Sequence, residues 1–158
     1  MQRLIVGFIC AIGLAATVGA ASPNDEMTAP IHRFMDAFNK GDAAAAAAAH
    51  VENDLVIIDE VPPYVWQGRD AFKSWNRDLA SNDQKLGITD EFVTLGETTR
   101  VESSGDRAYV VVAAVYTFKQ KGVAMREPAQ MTFSLRKEPT GWRISGWTWT
   151  GPKPQPAK

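Results

Sequence analysis

The sequence predicts an α+β fold: a cone-shaped domain in which three N-terminal helices pack on a strongly curved antiparallel β-sheet. Three observations carry this. Apolar residues recur at helical spacing in the first half of the chain. Val- and Tyr-rich runs separated by tight turns fill the chain from about Thr89. The helical segments come first and the long strands after, an order that segregates helices to one face of a sheet.

The first helix is expected from Thr28 or Ala29 to Lys40, with Pro30 in its first turn, where a missing N–H costs nothing. Ile31, Phe34, Met35 and Phe38 follow i, i+3, i+4, i+7 spacing and make its apolar face. Gly41 suits the left-handed position after a helix, and Asp42 is a good N-cap for the next. That second helix is the alanine run Ala43 to Ala49, which has the highest helix propensity available. Leu55 to Ile58 is a short apolar strand, and Pro62-Pro63 ends pairing there. Gly68 to about Leu79 is the third helix, with Phe72, Trp75 and Leu79 on its buried face and Ser81-Asn82-Asp83 closing it. Ser103 to Asp106, Lys121-Gly122 and Pro139 to Gly141 are turns between long strands. Pro128 predicts a bulge within the strand from about Val123 to Lys137. The final strand is Trp142 to Trp149.

The chain has 158 residues, which favours one domain. Residues 1–20 read as a secretory signal peptide: Arg3 is a positive n-region, Leu4 to Ala16 an apolar h-region, and Val18-Gly19-Ala20 supplies small residues for cleavage. The expected organisation is a signal peptide over 1–20, one domain over 21–151 and a disordered Pro/Lys tail over 152–158. The protein is therefore expected in the periplasm or secreted, with no membrane attachment after cleavage. Its single cysteine, Cys10, lies in the signal segment, so disulfides and thiolate chemistry are excluded from the mature chain. Removing Arg3 from the 17 basic side chains leaves 16 against 18 acidic ones, a formal charge of −2. No basic stripe exists, which argues against nucleic acid as a partner. Two histidines without convergent spacing argue against a metal site, and no nucleophile elbow, phosphate loop or dinucleotide fingerprint occurs, so no cofactor is expected.

The order from Pro30 to Asp70 is helix, Gly41-Asp42 corner, alanine helix, strand, Asp59, then Trp66-Gln67-Gly68-Arg69. Together with the closing Trp142-Arg143-Ile144, it resembles the ketosteroid-isomerase-like branch of the nuclear-transport-factor-2-like superfamily, often called SnoaL-like. The resemblance covers nearly all of the mature chain. It implies one deep pocket and a homodimer formed through the sheet. It identifies fold far better than function, because that fold hosts isomerases, dehydratases, cyclases, hydrolases and binding proteins. Ketosteroid isomerase pairs an Asp base with an oxyanion hole made of a Tyr and a protonated Asp. The resemblance puts the base position at Asp59, the tyrosine at Phe34 and the second acid near Met131. Neither Phe34 nor Met131 donates a hydrogen bond, and losing one such donor costs about 10²–10³ in rate. Steroid isomerase activity is not expected.

Asp59 ends an apolar strand, where the fold would point it into the pocket. Desolvation there suits a general base; the alternative is an Asp that caps the turn before Pro62. His50 ends the alanine helix and reads either as a proton-exchange partner at the pocket mouth or as a histidine placed to complement a helix C-terminus. His32 lies off the apolar stripe and reads as solvated. Tyr64, Trp66, Tyr116, Trp147 and Trp149 each read singly as core packing and collectively as walls of a cavity. With Phe34 and Met131, the residues Tyr64, Trp66, Tyr116 and Trp147 form the expected ligand-binding set. Arg126 and Glu127 either reach a pocket or partner or lie on a solvated strand edge.

Three functional readings follow. The first is a module binding a small hydrophobic molecule. The second is a cofactor-free isomerase, dehydratase or cyclase using Asp59, with or without His50. The third is a non-catalytic dimerising interaction protein, which requires a closed pocket.

Overall fold

A computed structural model describes residues 23–157. The expected signal peptide lies outside the described residues. Among those described, no helix is long and apolar enough to cross a membrane.

Helix α1 spans Pro23–Asn39, starting earlier than the sequence suggested. Asp25 and Glu26 in its first turn suit the positive end of the helix dipole. Pro30 therefore lies inside the helix rather than in its first turn, at the cost of one ladder bond. The corner forms as expected. Gly41 has φ +69°, and the Asp42 side chain accepts a 2.9 Å bond from the Ala45 amide to cap α2, Ala43–Ala48. Strands β1, Val56–Ile58, and β2, Val65–Gln67, form a hairpin. Helix α3, Ala71–Leu86, runs past the expected stop, and Gly87 in the left-handed region ends it. The buried stripe of Phe72 and Trp75 continues through Asp83, so packing overrides the turn preference of Ser81-Asn82-Asp83.

The meander follows as β3, Ile88–Ser104; β4, Arg107–Gln120; β5, Val123–Glu138; and β6, Gly141–Thr150. The sheet order is β2-β1-β6-β5-β4-β3. The meander is antiparallel, as expected, but β1 joins β6 in parallel, so the sheet as a whole is mixed and unclosed. The predicted bulge at Pro128 is absent: β4 and β5 stay in register from Gln120↔Val123 to Arg107↔Arg136, passing through Val115↔Pro128. The irregularity lies instead between β5 and β6, at Ser134/Leu135.

The tail is not free over its described residues. After Thr150 the chain crosses a short gap and pairs again with β5 as β7, Gln155–Pro156. Strand β6 pairs with β5 only from Gln130 onward, leaving the stretch around Met125 with an open edge that the tail covers. Pro128 sits opposite the gap between β6 and β7, where a missing N–H breaks no ladder.

The helices cover one face of the sheet. Ile31 and Phe34 of α1 meet Phe133, Leu135 and Ile144 in a fully dehydrated core. The Asn39 side chain pins the end of α1 to β3 by a two-way pair with the Val93 backbone, both bonds 2.8 Å. Between α1, α3 and the sheet the packing opens into a cavity.

Candidate functional site

The cavity has a volume of about 400 Å³ and is open to solvent. Helix α1 contributes Phe34, Met35 and Phe38, and α3 contributes Trp75, Leu79, Asn82 and Asp83. The sheet supplies Val93, Tyr116, Phe118, Met131, Trp147 and Trp149. Asp59, Glu60 and Val61, just after β1, close one side, and Lys153 and Pro154 of the tail border another. Strand alternation explains the walls: Trp147 and Trp149, two residues apart on β6, face the same side.

Asp59 is held by two donors. The Trp75 indole N–H bonds its Oδ2 at 2.6 Å and the Glu60 amide bonds its Oδ1 at 2.7 Å. Its own amide bonds the Tyr64 carbonyl at 3.1 Å. Burial pushes its carboxyl above the usual range, and the two hydrogen bonds pull it part of the way back. The residue that caps the turn is thus the residue in the cavity wall, so the two readings of Asp59 describe one arrangement.

Three further carboxyls gather beside it. Glu60 is pushed up to about 7 by burial and by the neighbouring Glu127 and Asp59 charges. Asp83 is pushed up to about 7 by burial and by Glu91 and Asp59. Glu127 is fully buried, and burial raises it too. Its Oε1 accepts a 2.8 Å bond from the Trp149 indole, and the protonated Glu60 carboxyl shares a side-chain hydrogen bond with it. Tyr116 donates to Glu91 at 2.7 Å and, raised by burial and that acid, stays a phenol.

Of the sequence-expected residues, Asp59, Phe34, Tyr116, Met131 and Trp147 converge on the cavity. Phe34 and Met131 bring no donor to its wall. Three residues lie elsewhere. Trp66 is buried outside the cavity wall and donates to Asp78 at 2.9 Å. Tyr64 is 56% exposed on a turn with φ +77°. His50 is buried away from the cavity lining, with both ring nitrogens engaged: Nδ1 donates to the Ala46 carbonyl at 2.9 Å and Nε2 accepts from the Trp147 indole at 3.2 Å. Burial drives its pKa down to about 4. This histidine positions Trp147 and has no free nitrogen with which to exchange protons with Asp59. Glu127, which had a solvated strand edge as one of its readings, is instead fully buried beside the site.

Glu60 and Asp83 carried signals that sequence reasoning passed over. Glu60 follows Asp59 directly, and Asp83 continues the spacing of Trp75 and Leu79 once α3 is allowed its full length. Glu127 carried a signal too: it shares the inward face of β5 with Met131, Phe133 and Leu135 by strand alternation.

A sequence model of the SnoaL-like domain matches residues 28–148. The chain belongs to the SnoaL-like family. Solved structures agree on the fold. A ketosteroid isomerase-like protein from Erwinia carotovora atroseptica is 25% identical, with a TM-score of 0.61 over 79% of this chain and 92% of that one. A nuclear-transport-factor-2-like superfamily protein from Salmonella enterica is 18% identical, with a TM-score of 0.67 over 85% and 91%. A putative scytalone dehydratase from Novosphingobium aromaticivorans is 12% identical, with a TM-score of 0.69 over 85% and 87%. No curated protein matches. At these identities the SnoaL-like scaffold is shared, and the chemistry has to be read from this chain's own cavity.

Proposed function

We propose that this SnoaL-like protein binds one small, mainly apolar molecule in its cavity. The cavity itself carries the reading: about 400 Å³, open, and walled by Phe34, Trp75, Trp147, Trp149 and Met131. Pockets of this size and composition, with a few convergent polar groups, suit small organic ligands. Steroid isomerisation falls outside the proposal, because Phe34 and Met131 supply no oxyanion donor. The interaction-protein reading called for a closed cavity, and this one is open. Export and a homodimer through the sheet belong to the proposal as expectations from the sequence. Native mass spectrometry of the protein purified from its own compartment tests it. The expected result is one small molecule retained per chain. A chain that emerges empty, and takes up none of a panel of apolar compounds, overturns the reading.

One observation favours a second reading, proton transfer on the bound molecule. Asp59 is oriented by two donors, while burial and neighbouring acids push Glu60 and Asp83 up to about 7. A base and an acid in one desolvated site are what isomerisation or dehydration needs. Asp59→Asn would then abolish conversion of the retained molecule, and unchanged turnover would reject this reading.

A further inference from the structure

One part of the cavity wall is built unlike the rest. The helices and long strands that line it are anchored by buried side chains, Phe34 of α1, Trp75 of α3 and Met131 of β5 among them. The tail has no such anchor. Over residues 151–157 only Pro154 is half-buried, and the others are exposed. Prolines alternate through it, at 152, 154 and 156. Each fixes φ and removes an N–H, so the segment is a stiff, extended rod with few donors for a ladder. Its middle, Lys153 and Pro154, lines the cavity. Its far end is held by two strand pairs, Met125↔Pro156 and Arg126↔Gln155, and by the Ala157 amide on the Ala124 carbonyl at 2.9 Å. The Gln155 side chain bonds the rod's own Lys153 carbonyl at 3.2 Å. At the near end stands Gly151, directly after Thr150, which is paired to Gln130 as the last residue of β6.

We infer that residues 151–157 are a hinged strap across the cavity mouth, which swings about Gly151 as β7 leaves β5 and so admits and releases the ligand. This rests on the proposal that the cavity is a ligand site and adds the route by which it fills. A glycine between a fixed strand and a stiff rod is where the backbone turns most freely. The rod moves as one piece, so Lys153 and Pro154 leave the wall together. Detaching it breaks a few exposed backbone bonds and uncovers no apolar core, and segments held that way open at far lower free energy than the core. Any other way of widening the mouth would draw Phe34 or Trp75 out of the packed interior. The cavity is open with the strap seated. The strap therefore narrows the mouth rather than sealing it, and a molecule large enough to fill the cavity has to displace it. A gate of this kind slows entry and exit alike and leaves the bound and free states unchanged, so it acts on rates rather than on affinity.

The test locks the strap reversibly. Arg126 and Gln155 are exposed and directly opposed. Opposed residues of an antiparallel pair have Cα atoms about 4.5–5.5 Å apart, within disulfide reach. Arg126→Cys and Gln155→Cys are combined with Cys10→Ser, so that no other thiol is present. Binding of two neutral apolar dyes, Nile red and prodan, is followed by stopped-flow fluorescence before and after reduction. The expected result is that the oxidised form binds and releases dye about tenfold more slowly than the reduced form, with Kd within about threefold. A chain ending at Thr150 should exchange dye faster than the full chain. Equal rates in the oxidised and reduced forms overturn the strap and leave the ligand-site reading intact. So does slower association with unchanged release, which would mean that the crosslink distorts the site. No binding of either dye to either form overturns both.

Discussion

The indole N–H of Trp75 lies 2.6 Å from Oδ2 of Asp59, joining the middle of α3 to the turn that follows β1. This bond fixes where the Asp59 carboxylate points and offsets part of its desolvation. Two more tryptophan–carboxylate pairs recur in the molecule, Trp149 with Glu127 and Trp66 with Asp78. The first lies at the cavity, whereas the second lies outside it.

Trp75→Phe keeps a ring at this position and removes the donor. The carboxylate then loses a charge-assisted hydrogen bond, at a cost of about 1–3 kcal/mol. Because that bond lowers the Asp59 pKa, the Asp59 titration followed by carboxyl NMR should move upward in the variant. An unmoved titration would mean the bond does not orient the acid.

Burial holds the His50 pKa down to about 4, below the ordinary imidazole value of 6.5. Between these values the unfolded chain binds the proton and the native one does not, so this group's contribution to stability rises with pH and is lost as pH falls from about 6.5 to 4. The loss is at most about 3 kcal/mol. Chemical denaturation from pH 4 to 7 should show wild type losing stability relative to His50→Gln on acidification. Parallel profiles would contradict a neutral, doubly engaged imidazole.

Asp83 has the opposite sign. Burial pushes its carboxyl up to about 7 from the ordinary value of 3.8, so its ionised form is penalised in the fold. Its contribution to stability is therefore present below about pH 4 and lost as pH rises through 7. Asp83→Asn should stabilise the protein at pH 8 by about 1–2 kcal/mol, allowing for solvent in the open cavity, and by nothing at pH 4. Equal effects at both pH values would place Asp83 outside the desolvated cluster.

Gly151 makes room for Glu127: a Cβ there would overlap Glu127 Oε1 and crowd Ala129. Gly151→Ala should cost about 1–3 kcal/mol and loosen the tail. The Ala157 amide, bonded to the Ala124 carbonyl at 2.9 Å, reports this by faster hydrogen exchange. Unchanged exchange would show that the tail is held independently of the Glu127 pocket.

What could be read from the sequence follows physical range. Local signals were legible. The Gly41-Asp42 corner, the alanine helix and the β-hairpin turns depend on residues a few positions apart. So did Asp59, because a strand end is a local feature. Long-range effects were not legible. The β1–β6 parallel pairing joins Val56 to Gly146, and β7 exists only because β6 leaves an edge of β5 uncovered. Burial of Glu127 followed from strand alternation with Met131, Phe133 and Leu135, but a carboxylate on that face reads against the apolar pattern. His50 read as a proton-exchange partner or a helix-end imidazole because its partner, Trp147, lies 97 residues away.

The central claim is that a small apolar molecule enters the cavity, and the five tryptophans provide a built-in test. Trp75, Trp147 and Trp149 line the cavity, whereas Trp66 and Trp142 do not. Indole N–H resonances should be followed by ¹H–¹⁵N NMR while small apolar compounds are titrated into the ¹⁵N-labelled protein. The account predicts saturable shifts at Trp75, Trp147 and Trp149 for at least one compound, with Trp66 and Trp142 still. Shifts confined to Trp66 or Trp142, or none with any compound, would contradict it.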